Sequence, residues 1–210
     1  MHPLLMSVLR LIYPIEDSRL KRDRPLEVLA LGLSRSGTES LRNALFQLGY
    51  TDVHHGFRYI LETQEALQWL RIAYAQETND RSKLTAAEFD KVLGNCAAVT
   101  DQPSCGFAHQ LIDAYPDAKI ILNYREDIDA WHSSVANTIE RFNATWSEWL
   151  LTWFQAELFW QQRSFWWTWR RYFDGDFEKN GRKWYREHYR SLEDRLPKGS
   201  YLKWRVEDGW

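Results

Sequence analysis

The chain is predicted to fold as a three-layer α/β/α domain with a central, mostly parallel sheet and a Trp-rich, helical C-terminal half. Three observations lead there. Short continuous apolar runs without alternation recur, the pattern of strands buried on both faces. Stretches with apolar residues at helical spacing separate them, so successive strands pair in parallel through right-handed crossovers. After Phe142 the strand signals nearly vanish, and seven of the twelve tryptophans crowd between Trp146 and Trp169.

Composition bounds the function. A chain of 210 residues suits one domain with a substantial core. A net charge of -2 provides no positive field for nucleic acid. Cys96 and Cys105 are too few for a disulfide framework, and neither sits in a metal-ligand pattern. A reducing compartment, the cytoplasm, is therefore expected, with no metal. In that setting the sequon Asn143-Ala144-Thr145 carries no weight.

The elements follow in order. "PLLMSVLRLIYPI" is too short and too broken by Arg10 to span a bilayer, and it lacks a basic leader and a cleavage site. It reads as an N-terminal helix packed on the domain. Residues 16–25, charged and closed by Pro25, read as an exposed connector, which leaves 26–210 as the domain proper. "LEVLALGL" is a buried parallel strand, and Leu41, Ala44, Leu45 and Leu48 mark a helix stopped by Gly49. "TDVHHG" is a short strand or turn, and Thr63 to Tyr74 is helical. "TAAEFDKVLG" opens with a capping box at Thr85 and Glu88. "CAAVTD" is a strand, "GFAHQLIDAYP" a helix closed by Pro116, "AKIILNY" a strong buried strand and "DIDAWHSSVANTIERF" a helix. Residues 145–195 are helices broken at "FDGDFEKNG", and "YLKWRV" returns to the sheet.

Chemistry concentrates at two stretches. In "LALGLSRSGTESL" a strand enters Gly32-x4-Gly37-Thr38 and a helix leaves it. Backbone N–H groups at such a helix start attract phosphate or sulfate. The lysine that a nucleotidase carries after the second glycine is replaced by Thr38, and Arg35 stands inside the loop. In "AKIILNYREDIDAWHSSV", Arg125 falls at the carboxyl end of a strand, where ligands gather in open α/β sheets, and Ser133 lies two helical turns later. Arg125 as a bidentate donor and Ser133 as a hydroxyl donor are placed to share one phosphate. The competing readings are a glycine turn that merely joins strand to helix, and a capping arginine beside a solvated serine.

Together Arg35-Ser36-Gly37-Thr38 and the Arg125/Ser133 pair resemble the sulfotransferase superfamily, and specifically its fungal-type P-loop proteins. The Asp-x-Pro at Asp101 and Pro103, "YPDAKIILNYRE" with Trp131 after it, and the late "DGW" strengthen the resemblance, which covers residues 26–210. It implies a P-loop fold and 3′-phosphoadenylyl sulfate (PAPS) as sulfuryl donor. Arg35 to Thr38 would grip the phosphosulfate, with Arg125 and Ser133 on the 3′-phosphate. Sulfuryl transfer generally needs no magnesium, so the missing lysine is expected, and Arg35 would neutralise charge on the departing oxygen.

An acceptor hydroxyl or amine must lose a proton, so a general base is needed beside the loop. Many sulfotransferases place a histidine in a Thr-His-x-Pro stretch. Here Asp101 occupies that place in Thr100-Asp101-Gln102-Pro103, with a helix N-cap or an arginine partner as its alternative roles. His54 and His55 follow a strand ending at the same edge and are the other candidates. His109 and His132 lie on helices and are weaker ones.

Trp146, Trp149, Leu150, Trp153 and Phe154 recur on one helical face, expected to pack on the core. Trp160, Trp166, Trp167 and Trp169 do not all fit that stripe. They suit a pocket for a hydrophobic small-molecule acceptor, a membrane surface or a second copy of the chain. Two rival functions stay in view: a repurposed fold acting without PAPS as a cyclase or dehydratase of secondary metabolism, and a non-catalytic aromatic-rich binding protein. ATP hydrolysis is disfavoured by the absent lysine and magnesium partner.

Overall fold

The computed structural model describes residues 1–18, 20–140 and 146–209. Its sheet has five strands: β1 (Val28–Ala30), β2 (Val53–His54), β3 (Ala98–Val99), β4 (Lys119–Asn123) and β5 (Tyr201–Trp204). Their order is β2-β3-β1-β4-β5, and every pairing is parallel. Leu29 lies opposite Val99 on one side and Ile120 on the other, so β1 is the central strand. The chain crosses from one side of β1 to the other between β3 and β4. The strand order therefore reverses at β1, the kind of switch point beside which open α/β sheets bind ligands.

Ten α-helices are described: α1 (Pro3–Ile12), α2 (Thr38–Gln47), α3 (Gly56–Leu61), α4 (Ala66–Glu77), α5 (Ala86–Leu93), α6 (Ala108–Ala114), α7 (Ile128–Val135), α8 (Trp146–Leu151), α9 (Ala156–Phe173) and α10 (Phe177–Arg195). A π turn, Ala136–Glu140, extends α7. The expected end of that helix at 141–142, the sequon and Trp210 of "DGW" fall outside the described residues. Among the described residues no helix is long and apolar enough to cross a membrane.

Side chains alternate across β1 and so divide the core. Val28 and Ala30 meet Leu41 and Leu45 of α2. Leu29 and Leu31 join Trp69 and Leu70 of α4, Phe89 of α5 and Trp160 of α9 on the opposite face. Full burial of each large apolar side chain contributes about 1.5–3 kcal/mol. A third cluster, Leu33, Trp131, Phe173, Phe177, Tyr185 and Tyr189, ties α7, α9 and α10 to the turn after β1. The N-terminal helix does pack on the domain, through Met6 with Leu9 beside it. The connector of 16–25 is strapped down: Arg22 donates to Asp90 at 2.5 Å and to the Cys96 carbonyl at 2.9 Å.

Two expectations fail. No capping box forms at Thr85, whose side chain makes no cap bond. Gln68 at 2.9 Å and Lys91 at 2.7 Å draw the Glu88 carboxylate away. The aromatic stripe does not pack on the core either. Helix α8 ends at Leu151 and the chain turns, so the helical period that aligned Trp146 with Phe154 stops halfway. Trp146, Trp149, Trp153 and Phe154 stay 75, 47, 42 and 77% exposed. The core is filled from α9 instead, where Phe159, Trp160, Trp169 and Phe173 are buried.

Candidate functional site

The turn after β1 is clamped from below. Gly32 donates its N–H to Asn123 Oδ1 at 3.0 Å, and Asn123 Nδ2 donates to Ser36 Oγ at 2.9 Å. A Cβ on Gly32 would stand 1.9 Å from the Asn123 carbonyl oxygen, so only glycine fits. Tyr189 of α10 accepts from the Leu33 N–H at 3.1 Å and donates to the Asn123 carbonyl at 2.7 Å. Trp131 of α7 donates to the Ser34 carbonyl at 2.9 Å. Thus β4, α7 and α10 fix the backbone before any ligand arrives.

The helix start on the other side of the turn is uncapped. Gly37, at φ 82°, is the N-cap of α2, and no side chain caps the helix. The first-turn N–H groups and the positive end of the helix dipole therefore lack a capping side chain. Ser36 and Thr38 are buried, while Arg35 is exposed at φ 69° and donates from Nε to Ser134 Oγ at 3.0 Å. Val206, after β5, packs against Gly37 where a Cβ would point.

Asp101 stands at the carboxyl end of β3, next to this turn. Its Oδ1 accepts from Ser34 Oγ at 2.5 Å, so the loop touches the carboxylate directly. Oδ2 lies 3.3 Å from His55 Nε2. The N-cap of the following short helix is Pro103, which sets aside the capping role considered for Asp101. Asp101 adopts φ 69°, a left-handed conformation that costs a non-glycine residue about 1–3 kcal/mol and clusters at functional sites.

The structure separates the two neighbouring histidines. His55 faces Asp101, and burial pushes its imidazole below the usual value against the pull of the Asp101 charge. His54 is fully buried and points to Glu65 at 3.0 Å, in a network with Arg58 that stands away from the turn. His109 bonds Ser191 Oγ at 3.0 Å between α6 and α10. His132 is buried and stacked on Phe177 with ring centres 4.5 Å apart.

Arg125 reaches the same edge from β4. Tyr185 clamps its backbone, accepting from the N–H at 2.8 Å and donating to the carbonyl at 2.7 Å. Arg125 lines a groove of about 300 Å³ in which Arg186, Arg190 and Lys203 are mixed with the acidic Glu126 and Glu193. Ser133 is exposed on α7, and it is the next residue, Ser134, that meets Arg35. Sequence reasoning missed Ser34, Asn123, Ser134, Tyr185 and Tyr189. Only Asn123 carried a signal, as a polar residue closing a continuous apolar run. Among the described residues no group of three or more His, Cys, Asp or Glu is arranged to hold a metal.

A parallel α/β sheet with a glycine turn running into a helix at its carboxyl edge is the frame on which open α/β proteins build their ligand sites. Residues 27–210 match the family described as the sulfotransferase domain, and the chain belongs to that family. It is also similar to Ava biosynthesis cluster protein M of Aspergillus versicolor. Identity is 31% over an alignment that takes in 88% of this chain and 73% of the relative.

Proposed function

We propose that the chain transfers a sulfuryl group from PAPS to a hydroxyl or amine of a hydrophobic small molecule. The observation that carries this reading is the 2.5 Å bond from Ser34 to Asp101. It joins an uncapped helix start, suited to an anion, to a carboxylate suited to take a proton. The residues present fit the donor. The α2 N–H groups and Arg35 suit its phosphosulfate end, and Arg125 with Ser133 suits the 3′-phosphate. When bound, PAPS supplies an activated sulfuryl group.

The protein's own residues then have distinct tasks. The turn from Arg35 to Thr38 holds the anion, with its backbone pre-set by Asn123 and Tyr189. The Arg35 guanidinium stabilises charge developing on the bridging oxygen. The Asp101 carboxylate, oriented by the Ser34 hydroxyl on Oδ1, takes the acceptor's proton on a remaining lone pair. The exposed tryptophans of α8 and α9 offer apolar surface to the acceptor. Cys96 and Cys105 are free, buried thiols, which supports a reducing, cytoplasmic setting.

Isothermal titration with adenosine 3′,5′-bisphosphate tests the donor site. Binding is expected, weakened about 10–100-fold by Arg125→Ala, the worth of charge-assisted hydrogen bonds. No binding at millimolar ligand, together with no effect of Arg125→Ala, rejects the reading. A second reading is favoured by the relative, whose name places it in a biosynthesis cluster without naming sulfuryl transfer. In it the fold serves secondary metabolism without PAPS, with Asp101 acting as a proton carrier in a cyclase or dehydratase. Turnover of a candidate metabolite with no donor added would select it.

A further inference from the structure

Asp101 is approached by donors on both oxygens, and the second donor has its protonation state set by the backbone. Phe57 donates its N–H to His55 Nδ1 at 3.1 Å. Nδ1 must therefore keep its lone pair, and the neutral ring carries its proton on Nε2. Nε2 is buried, has no hydrogen-bond partner and stands 3.3 Å from Asp101 Oδ2. Contacts at catalytic groups are often this long without a substrate and tighten when it binds.

The surroundings keep this arrangement in place. His55 is the N-cap of α3 and is 3% exposed. At Gly56 a Cβ would come within 2.6 Å of Asp101 Oδ2, so glycine leaves the carboxylate its room. The Asp101 backbone is pinned by the Cys105 N–H on its carbonyl at 3.0 Å. The charged and titratable groups around His55 are Asp101, His54, and Glu39 and Arg42 of α2. Protonating the ring would displace the Phe57 N–H as well as bury a charge.

The geometry points to His55 as a positioning residue: its Nε2–H aims the Asp101 carboxylate toward the Arg35–Thr38 turn and holds it there. This rests on the reading of Asp101 as the base. His55 itself is too enclosed to meet an acceptor, so it acts through Asp101.

The test has two arms. Long-range 1H–15N spectra of histidine-labelled protein should show His55 as the Nε2–H tautomer alone from pH 8 to pH 6. An Nδ1–H tautomer, a mixture or a protonated ring at pH 7 overturns the proposal. In the second arm, PAPS turnover is followed with phenol, 2-naphthol and an aliphatic amine as acceptor probes. His55→Ala should lower kcat roughly 10–100-fold with KM for PAPS unchanged, the loss expected for one hydrogen bond to a charged group. His55→Gln, which restores an N–H, should recover most of the rate. Equal impairment of both variants, or an unchanged His55→Ala, overturns the proposal while the sulfuryl-transfer reading stands. If the wild type turns over no PAPS with any probe, that reading fails, and the positioning of a base falls with it whatever the spectra show.

Discussion

Asn123→Ala should destabilise the protein far more than an ordinary polar truncation. Asn123 is fully buried, and its amide serves both ends of the turn. Its Oδ1 accepts from Gly32, and its Nδ2 donates to Ser36 Oγ at 2.9 Å and to the Ser36 carbonyl at 3.3 Å. Alanine leaves the buried Gly32 N–H without a partner, at about 1–3 kcal/mol. Loss of the donor to Ser36 adds about 1 kcal/mol, because Ser36 Oγ keeps its bond to the Leu33 carbonyl at 2.5 Å. The expected total is about 2–4 kcal/mol, or a fall in Tm of roughly 5–15 °C for a domain of this size. Urea unfolding at pH 7.5 measures it directly. Asn123→Asp keeps the bond from Gly32 but turns an oxygen toward Ser36, so it should be less stable at pH 8 than at pH 5. A loss below about 1 kcal/mol in Asn123→Ala would mean that Tyr189 and Trp131 hold the turn alone, and the clamp argument would fail.

Gly56→Ala should cost about 1–3 kcal/mol and slow the reaction, because its Cβ would crowd Asp101 Oδ2 at 2.6 Å; unchanged rates would count against Asp101 as base. His188 donates from Nε2 to the Leu31 carbonyl at 2.8 Å, and burial lowers its pKa from 6.5 to about 4. The unfolded chain binds that proton first as pH falls, so stability is full above pH 6.5 and drains toward pH 4, by up to roughly 3 kcal/mol. Urea midpoints at pH 7.5 and 4.5 should differ less in His188→Gln than in the wild type, and an equal difference would be contrary evidence. Trp160→Ala should lose about 3–5 kcal/mol, since the ring is fully buried and donates to the Tyr13 carbonyl at 2.9 Å. Trp166→Ser, at a position 43% exposed, should stay within about 0.5 kcal/mol, and comparable thermal melts of the two variants would refute the assignment of faces.

Local signals were readable where the chemistry is local. The strand, glycine turn and helix from Val28 to Gln47 are contiguous, so spacing alone places Arg35 and Gly37 at a helix start. Asp101 was readable as the residue just past a strand. The choice between His54 and His55 was not. Adjacent residues at the end of a strand point to opposite faces, and the side that meets Asp101 depends on where β2 lies in the sheet. Ser134 shows the same limit on a helix, where one residue is a turn of about 100°. Its bond to Arg35 joins residues 99 apart, which no spacing along the chain announces. The tryptophan stripe misled because periodicity assumes an unbroken helix, and α8 stops at Leu151.

By itself the sequence determined the alternation of strand and helix, the parallel sheet, the family and an anion-suited turn at a helix start. These follow from hydrophobic period, glycine placement and motif order, all of which are local properties of the chain. Tertiary structure decided what surrounds that turn. The partners Ser34 and Asp101 are 67 residues apart, Gly32 and Asn123 are 91 apart, and Leu33 and Tyr189 are 156 apart. No local preference encodes such pairs. They exist because packing five strands side by side brings distant carboxyl ends to one edge, where buried polar groups must find one another.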